Sequence, residues 1–275
     1  LAGLLCMRAD ADARETRDTP EYFVVKGARP LHHAAAFGKL STVVLLLRGR
    51  ASIDSTNSSG STALHAAAAG GSPAMVQELL RRRGNLEART GTDSSILDVA
   101  VCMSRTSCVK LLLEARSSIR PSVDGVGALA MAMISGAGVE TVLMLVAAGC
   151  DRDCRLRPVF GSVLWVLMTA LSMSHRAGRR TLLSRFGYHC WGATPLMLGV
   201  IFSKLAEVRA LLELRADPHL RNQRRVTAMD LAGLSGIAEL AALSPPHPAA
   251  LVCESLSEAR SPQIFAGALP KTTLR

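Results

Sequence analysis

Apolar residues occur as pairs of short runs, and the pairs return at a nearly constant interval. Pro30-Leu31-His32-His33-Ala34-Ala35 recurs 33 residues later as Ala63-Leu64-His65-Ala66-Ala67-Ala68. A further step of 33 reaches Ile96-Leu97-Asp98-Val99-Ala100. Ala128-Leu129-Ala130-Met131-Ala132, Val163-Leu164-Trp165, Pro195-Leu196-Met197-Leu198 and Ala228-Met229-Asp230-Leu231-Ala232 follow at spacings of 32, 35, 32 and 33. Small-residue breaks such as Gly38, Gly70-Gly71 and Gly136-Ala137-Gly138 close the first runs. The second runs, at 43–47, 75–80, 109–113, 142–146 and 208–212, place their apolar residues on one helix face. The pattern predicts two helices per unit, joined to the next unit by polar, Gly- or Asp-bearing turns such as residues 54–60.

A period of this length is the signature of a repeat architecture. Thr62-Ala63-Leu64-His65-Ala66-Ala67, Arg29-Pro30-Leu31-His32-His33-Ala34 and Thr194-Pro195-Leu196 carry the resemblance: here the sequence resembles the ankyrin-repeat family, whose unit is a β-turn plus two helices with a T-P-L-H-x-A signature. The resemblance implies an all-α solenoid of helix-turn-helix units with short β-turn fingers. Seven repeats are expected over residues 27–243, the fifth irregular because Trp165 and the polar run 172–180 break its pattern. Residues 1–26 read as the end of a truncated repeat plus a connection, since Leu4-Leu5-Cys6-Met7-Arg8-Ala9-Asp10 resembles Leu211-Leu212-Glu213-Leu214-Arg215-Ala216-Asp217. The Pro-bearing stretch 244–275 reads as an irregular or disordered tail. Leu1 stands where an initiator Met is absent, so the chain reads as a fragment or processed product and a missing targeting signal excludes nothing.

Composition narrows the class. Apolar residues are 49% of the chain and aromatics only 4%, so the interior is built from Leu, Ala, Val and Met. The formal charge is +10, carried by 27 Arg against 5 Lys, which favours bidentate anion contacts. Seven scattered cysteines in a chain of this size do not make a disulfide framework and fit a reducing compartment, cytoplasmic or nuclear.

Few motifs point to chemistry. Gly125-x-Gly127-x-x-Ala130 has the letters of a dinucleotide fingerprint, but Ile119-Arg120-Pro121-Ser122-Val123-Asp124 before it is no buried strand. Residues 126–149 carry one charge, Glu140, and are long enough for a membrane span; the repeat register instead assigns them to a solenoid core. Cys150, Cys154, His189 and Cys190 lack the paired spacing of a zinc site. No nucleophile elbow appears, so no enzyme, cofactor or metal is expected. The family implies that His32 and His65, at one repeat position, serve a structural hydrogen-bond network.

The resemblance implies a protein-interaction scaffold or adaptor that binds through the concave face and fingers. His33, Phe37 and Ala69 lie in or beside the first run outside the repeated Leu and Ala positions and are the candidate contacts. Two fingers are unusually basic, with Arg152, Arg155 and Arg157 in one and Arg221, Arg224 and Arg225 in the other; together they fit an acidic or phosphorylated protein partner. A second feature is Arg8, Arg50, Arg83, Arg116 and Arg215 where ankyrin units usually carry Gly, Gly149 excepted, and there Arg complements the helix dipole. Two rivals remain: a targeting arm of a larger signalling enzyme, ubiquitin ligase or ion channel, and a nucleic-acid binder. The second is disfavoured because Tyr22, Tyr188, Trp165 and Trp191 are too dispersed for a stacking platform.

Overall fold

Start signals written in the sequence fix most of the first helices, the one that begins after Gly127 excepted. In the computed structural model, which describes residues 12–14, 26–115, 117, 127–157, 163–178 and 181–234, the backbone N–H of Arg29 donates to His32 Nδ1 at 3.1 Å and that of Thr62 to His65 Nδ1 at 3.2 Å. Asp98 and Asp230 take the same place, accepting from the N–H groups of Ser95 (2.9 Å) and Thr227 (2.8 Å). Each satisfies an orphan donor at a helix start. The other ring nitrogen of His32 reaches the Ser61 carbonyl of the next unit at 3.0 Å, the structural network expected of it, whereas His65 caps its own helix through Thr62 and its buried Nε2 makes no such bond.

The helices are α1 (Pro30–Ala36) and α2 (Leu40–Arg48), α3 (Ala63–Gly70) and α4 (Pro73–Arg81), α5 (Ile96–Cys102) and α6 (Thr106–Glu114), α7 (Ala128–Ser135) and α8 (Val139–Ala147), α9 (Val163–Arg176) and α10 (Leu182–His189), α11 (Pro195–Ile201) and α12 (Leu205–Glu213), and α13 (Ala228–Leu234). First helices stack on first helices and second on second. The repeated leucines Leu31, Leu64, Leu97, Leu129 and Leu196 are buried between layers, with Val43, Val76, Val109, Val142 and Val208 beneath them. The result is an all-α solenoid. Among the described residues the only β pairing is an isolated bridge between Arg89 and Ser95 at the base of a finger.

The second helices α2, α4, α8 and α12 end on a left-handed residue, whose N–H and that of its successor return to the last turn; Arg116, the matching position after α6, lies outside the described residues. Arg50 (φ 65°), Arg83 (φ 64°) and Arg215 (φ 62°) occupy this position where Gly149 (φ 97°) does so at no steric cost. The bonds close alike, for example Arg83 N–H to Leu80 O at 2.9 Å and Gly84 N–H to Leu79 O at 2.9 Å.

The fifth copy departs from expectation. In the fingers, Asn57 N–H donates to Ser61 O, Thr90 N–H to Ser94 O and Asn222 N–H to Val226 O; the matching bond in the fourth unit joins Leu156 N–H to Ala193 O at 2.8 Å. Residues 157–190 therefore stand where another finger has the single residue Ser58. The helices agree: α7 packs on α11 and α8 on α12, so the fourth and sixth copies are direct neighbours. The expected fifth unit is not a layer of the stack but a helical hairpin, α9 and α10, inserted at a finger tip. The half-unit expected before residue 26, the tail 244–275 and the end of the seventh copy lie outside the described residues, Asp12 to Arg14 excepted. Asp12 accepts from Ser52 N–H at 3.2 Å and pairs with Arg29 at 3.1 Å.

Candidate protein-binding face

First helices present two positions away from the second helices. One is filled by His33, Ala66, Val99, Met131 and Leu198 and the other by Ala36, Ala69, Cys102, Ile134 and Ile201. In the first four units every one of these is partly or fully exposed. In the sixth, Leu198 and Ile201 are 0% and 1% exposed. The inserted hairpin covers them: α10 packs on α11, with the Phe186 and Phe202 ring centroids 5.1 Å apart and Arg185 donating to the Leu231 carbonyl of the next first helix at 3.3 Å. The inner face is thus open over four units and filled by the chain's own helix over the sixth.

His33 lies half-buried on the open part, and Phe37, at the C-terminal end of α1, is 53% exposed. Ala69 shares the face, but its carbonyl already accepts from Arg105 Nε at 3.0 Å. The basic fingers come together more closely than a seven-layer stack allows, because the fourth and sixth units are adjacent. Arg152 donates to Leu214 O at 2.8 Å and Arg155 to Arg221 O at 2.9 Å. Asp217 N–H closes the same seam on Asp153 Oδ1 at 2.9 Å. Arg224 anchors the hairpin: its guanidinium lies 3.6 Å from the centroid of the Tyr188 ring, donates to Ser172 Oγ at 3.1 Å and bonds the Tyr188 carbonyl. Three of the six expected partner-binding arginines therefore hydrogen-bond within the fold, Arg152 and Arg155 while still exposed and Arg224 half-buried; Arg157, Arg221 and Arg225 are exposed.

The hairpin and its role are not legible in the sequence, where Tyr188 and Trp191 stand only as scattered aromatics. Trp191 belongs to the finger of the fourth unit, closed by Leu156 and Ala193, where its carbonyl accepts from Gln223 N–H of the sixth finger at 3.0 Å. At the end of α10, burial, with His175, Arg224 and Arg185 adding to it, lowers His189 to about 4. Cys150 and Cys154 line a cavity of about 290 Å³ with Gly127 and Leu129, and burial pushes their thiols up to about 11 and 12. Such thiols stay protonated at neutral pH and are poor nucleophiles and ligands.

Residues 31–124 match the family model for ankyrin repeats, in three copies. This stretch, the first three units, is a run of ankyrin repeats, as the sequence resemblance implied. A comparison with curated proteins finds no match to the chain.

Proposed function

Starting from the ankyrin repeats of residues 31–124, a non-catalytic fold whose general use is binding other proteins, we propose that this chain is a scaffold or adaptor that holds an acidic or phosphorylated segment of a protein partner on the inner face of its first four units. Contact runs over His33, Phe37 and Ala69, and Arg157, Arg221 and Arg225 supply the positive edge that steers the acidic segment. We assign it no catalytic step. Burial of Leu198 and Ile201 beneath α10 carries the reading: where a helix is available, this face takes it. The equivalent positions of units one to four are the same kind of surface without that cover. A preformed surface loses little ordering entropy on binding, so side-chain identity sets the affinity. The five free cysteines among the described residues fit the reducing cytoplasm or nucleus.

Affinity capture with the full chain, followed by kinetics on the captured partner, tests this. Phe37→Ala and His33→Glu should each weaken binding about tenfold or more if they sit at its centre. Arg221→Glu with Arg225→Glu should slow association and flatten its salt dependence. Unchanged affinity in folded Phe37→Ala and His33→Glu variants rejects the inner face; an unchanged on-rate at low salt rejects the basic edge.

A further inference from the structure

The inserted hairpin has an outward side that nothing in the solenoid explains. The helix α9 packs on α10, and α10 packs on the stack, so α9 forms an outer layer. A helix in that place ordinarily turns polar residues outward. Here the exposed positions Val166, Ala170, Met173 and Ala177 follow one another at helical spacing with no polar residue among them. Leu167 lies beside this stripe, and Leu182 and Leu183 are exposed at the start of α10. Nine large apolar residues are well exposed among the described residues, and five of them, Val166, Leu167, Met173, Leu182 and Leu183, are on this hairpin at 50–66% exposure.

Charge on the hairpin is of one sign. Residues 157–190 contain five arginines and neither Asp nor Glu, and Arg176 is exposed at the end of the apolar stripe. A second copy of the chain would bring two such cationic faces together, which disfavours self-association through this side. A protein groove that envelops a basic amphipathic helix needs access around it, and α9 is held along one flank by α10. A one-sided ridge of aliphatic side chains bordered by arginine matches a planar anionic surface. With 14 residues, α9 is about 21 Å long, short of the roughly 30 Å hydrocarbon core, and no helix among the described residues is long and apolar enough to cross a membrane. Such a helix lies in the interface.

We propose that the inserted hairpin is a membrane-docking element, which lays the Val166–Met173 side of α9 and the Leu182–Leu183 corner into the headgroup region of an anionic bilayer while Arg176 meets lipid phosphates. This site is separate from the inner face, so either reading can fail without the other.

Flotation of the full chain with vesicles of phosphatidylcholine alone, and of phosphatidylcholine mixed with phosphatidylserine, tests it. Binding is expected to the mixed vesicles and to fall with added salt. Met173→Asp combined with Leu183→Asp should weaken it by about tenfold or more, and Arg176→Gln by about fivefold. Leu143→Asp, at an exposed leucine of α8, should leave it unchanged, and circular dichroism identifies any variant that has lost its fold. Absence of binding to the mixed vesicles overturns the proposal, and so does an equal loss in Leu143→Asp. If Met173→Asp abolishes capture of an acidic protein while vesicles bind neither form, the face belongs to that protein and the membrane reading is wrong.

Discussion

Gly199 offers a test of the adjacency of the fourth and sixth units in which helix propensity and packing predict opposite signs. At the corresponding place the other first helices carry Ala34, Ala67, Ala100 and Ala132, and in a helix Ala is favoured over Gly by about 1 kcal/mol. Taken from the repeat pattern, Gly199→Ala should stabilise. In the structure a Cβ at Gly199 would run into Met133 Cε of the fourth unit and Val208 Cγ2 of its own unit. Overpacking of this kind costs about 1–3 kcal/mol, so the net change should be a loss of about 1 kcal/mol. Met133→Ala alone should cost about 3 kcal/mol through the cavity it opens. In that background half of the collision is gone, and Gly199→Ala should become close to neutral, giving an interaction energy of about 1 kcal/mol. Urea denaturation of the four proteins at constant m measures it. In a stack with a true fifth layer, residues 133 and 199 would be two layers apart and their effects additive. An interaction energy within about 0.3–0.5 kcal/mol of zero, or a stabilising Gly199→Ala, refutes the adjacency.

Excision of residues 158–190, joining Arg157 to Trp191, should leave a cooperatively folded stack with the hairpin's helical signal lost; a chain without a cooperative transition would show the hairpin to be essential to the core. In the intact protein, hydrogen exchange should open residues 163–189 before 63–114, and equal protection would contradict this. Arg50→Gly and Arg83→Gly should each raise stability by about 0.5–1 kcal/mol, since relief of a left-handed Cβ exceeds the entropy Gly adds to the unfolded chain; falling urea midpoints would refute the strain. Burial lowers His65 from 6.5 to about 4, so the unfolded chain takes up its proton first and stability should fall as pH drops from 6.5 towards 4, by up to about 3 kcal/mol. His65→Asn should flatten that slope, and parallel pH profiles of the two proteins would reject it.

What was legible in the sequence was whatever a unit decides locally. Leu31, Leu64, Leu97, Leu129 and Leu196 announced the buried seam, and His32 and His65 the caps, because each acts within three or four residues or against the next copy of itself. The fifth copy misled because it has the length and the two helices of a repeat. The Asp54–Asn85 contact between successive fingers spans 31 residues and its counterpart Asp153–Asp217 spans 64, an excess of one repeat period, so the insertion never disturbs the register of the later units. Trp165 and the polar run 172–180 did mark the irregularity. What they could not supply is where the hairpin goes, since that depends on Phe186 meeting Phe202 and on Arg224 meeting Tyr188.

The arginines divide along the same line. Their number, and the absence of acids from residues 157–190, are sequence facts, but which guanidinium groups remain available is decided by adjacency. Arg152 and Arg155 donate to carbonyls 62 and 66 residues away, contacts that exist only because α7 packs directly on α11. A buried carbonyl that would otherwise be unsatisfied is a stronger claim on a guanidinium than an exposed acidic partner, since leaving a buried acceptor unpaired costs about 1–3 kcal/mol whereas a surface ion pair yields about 0–1. Arg152 and Arg155 sit in exposed fingers, where water competes for the same carbonyls and narrows that difference. Arg224 is half-buried against Tyr188 and is the arginine most firmly committed to the fold. Replacing it with Glu would release the hairpin from the sixth finger before it altered any charge presented to a partner, so the recognition test rests on Arg221 and Arg225.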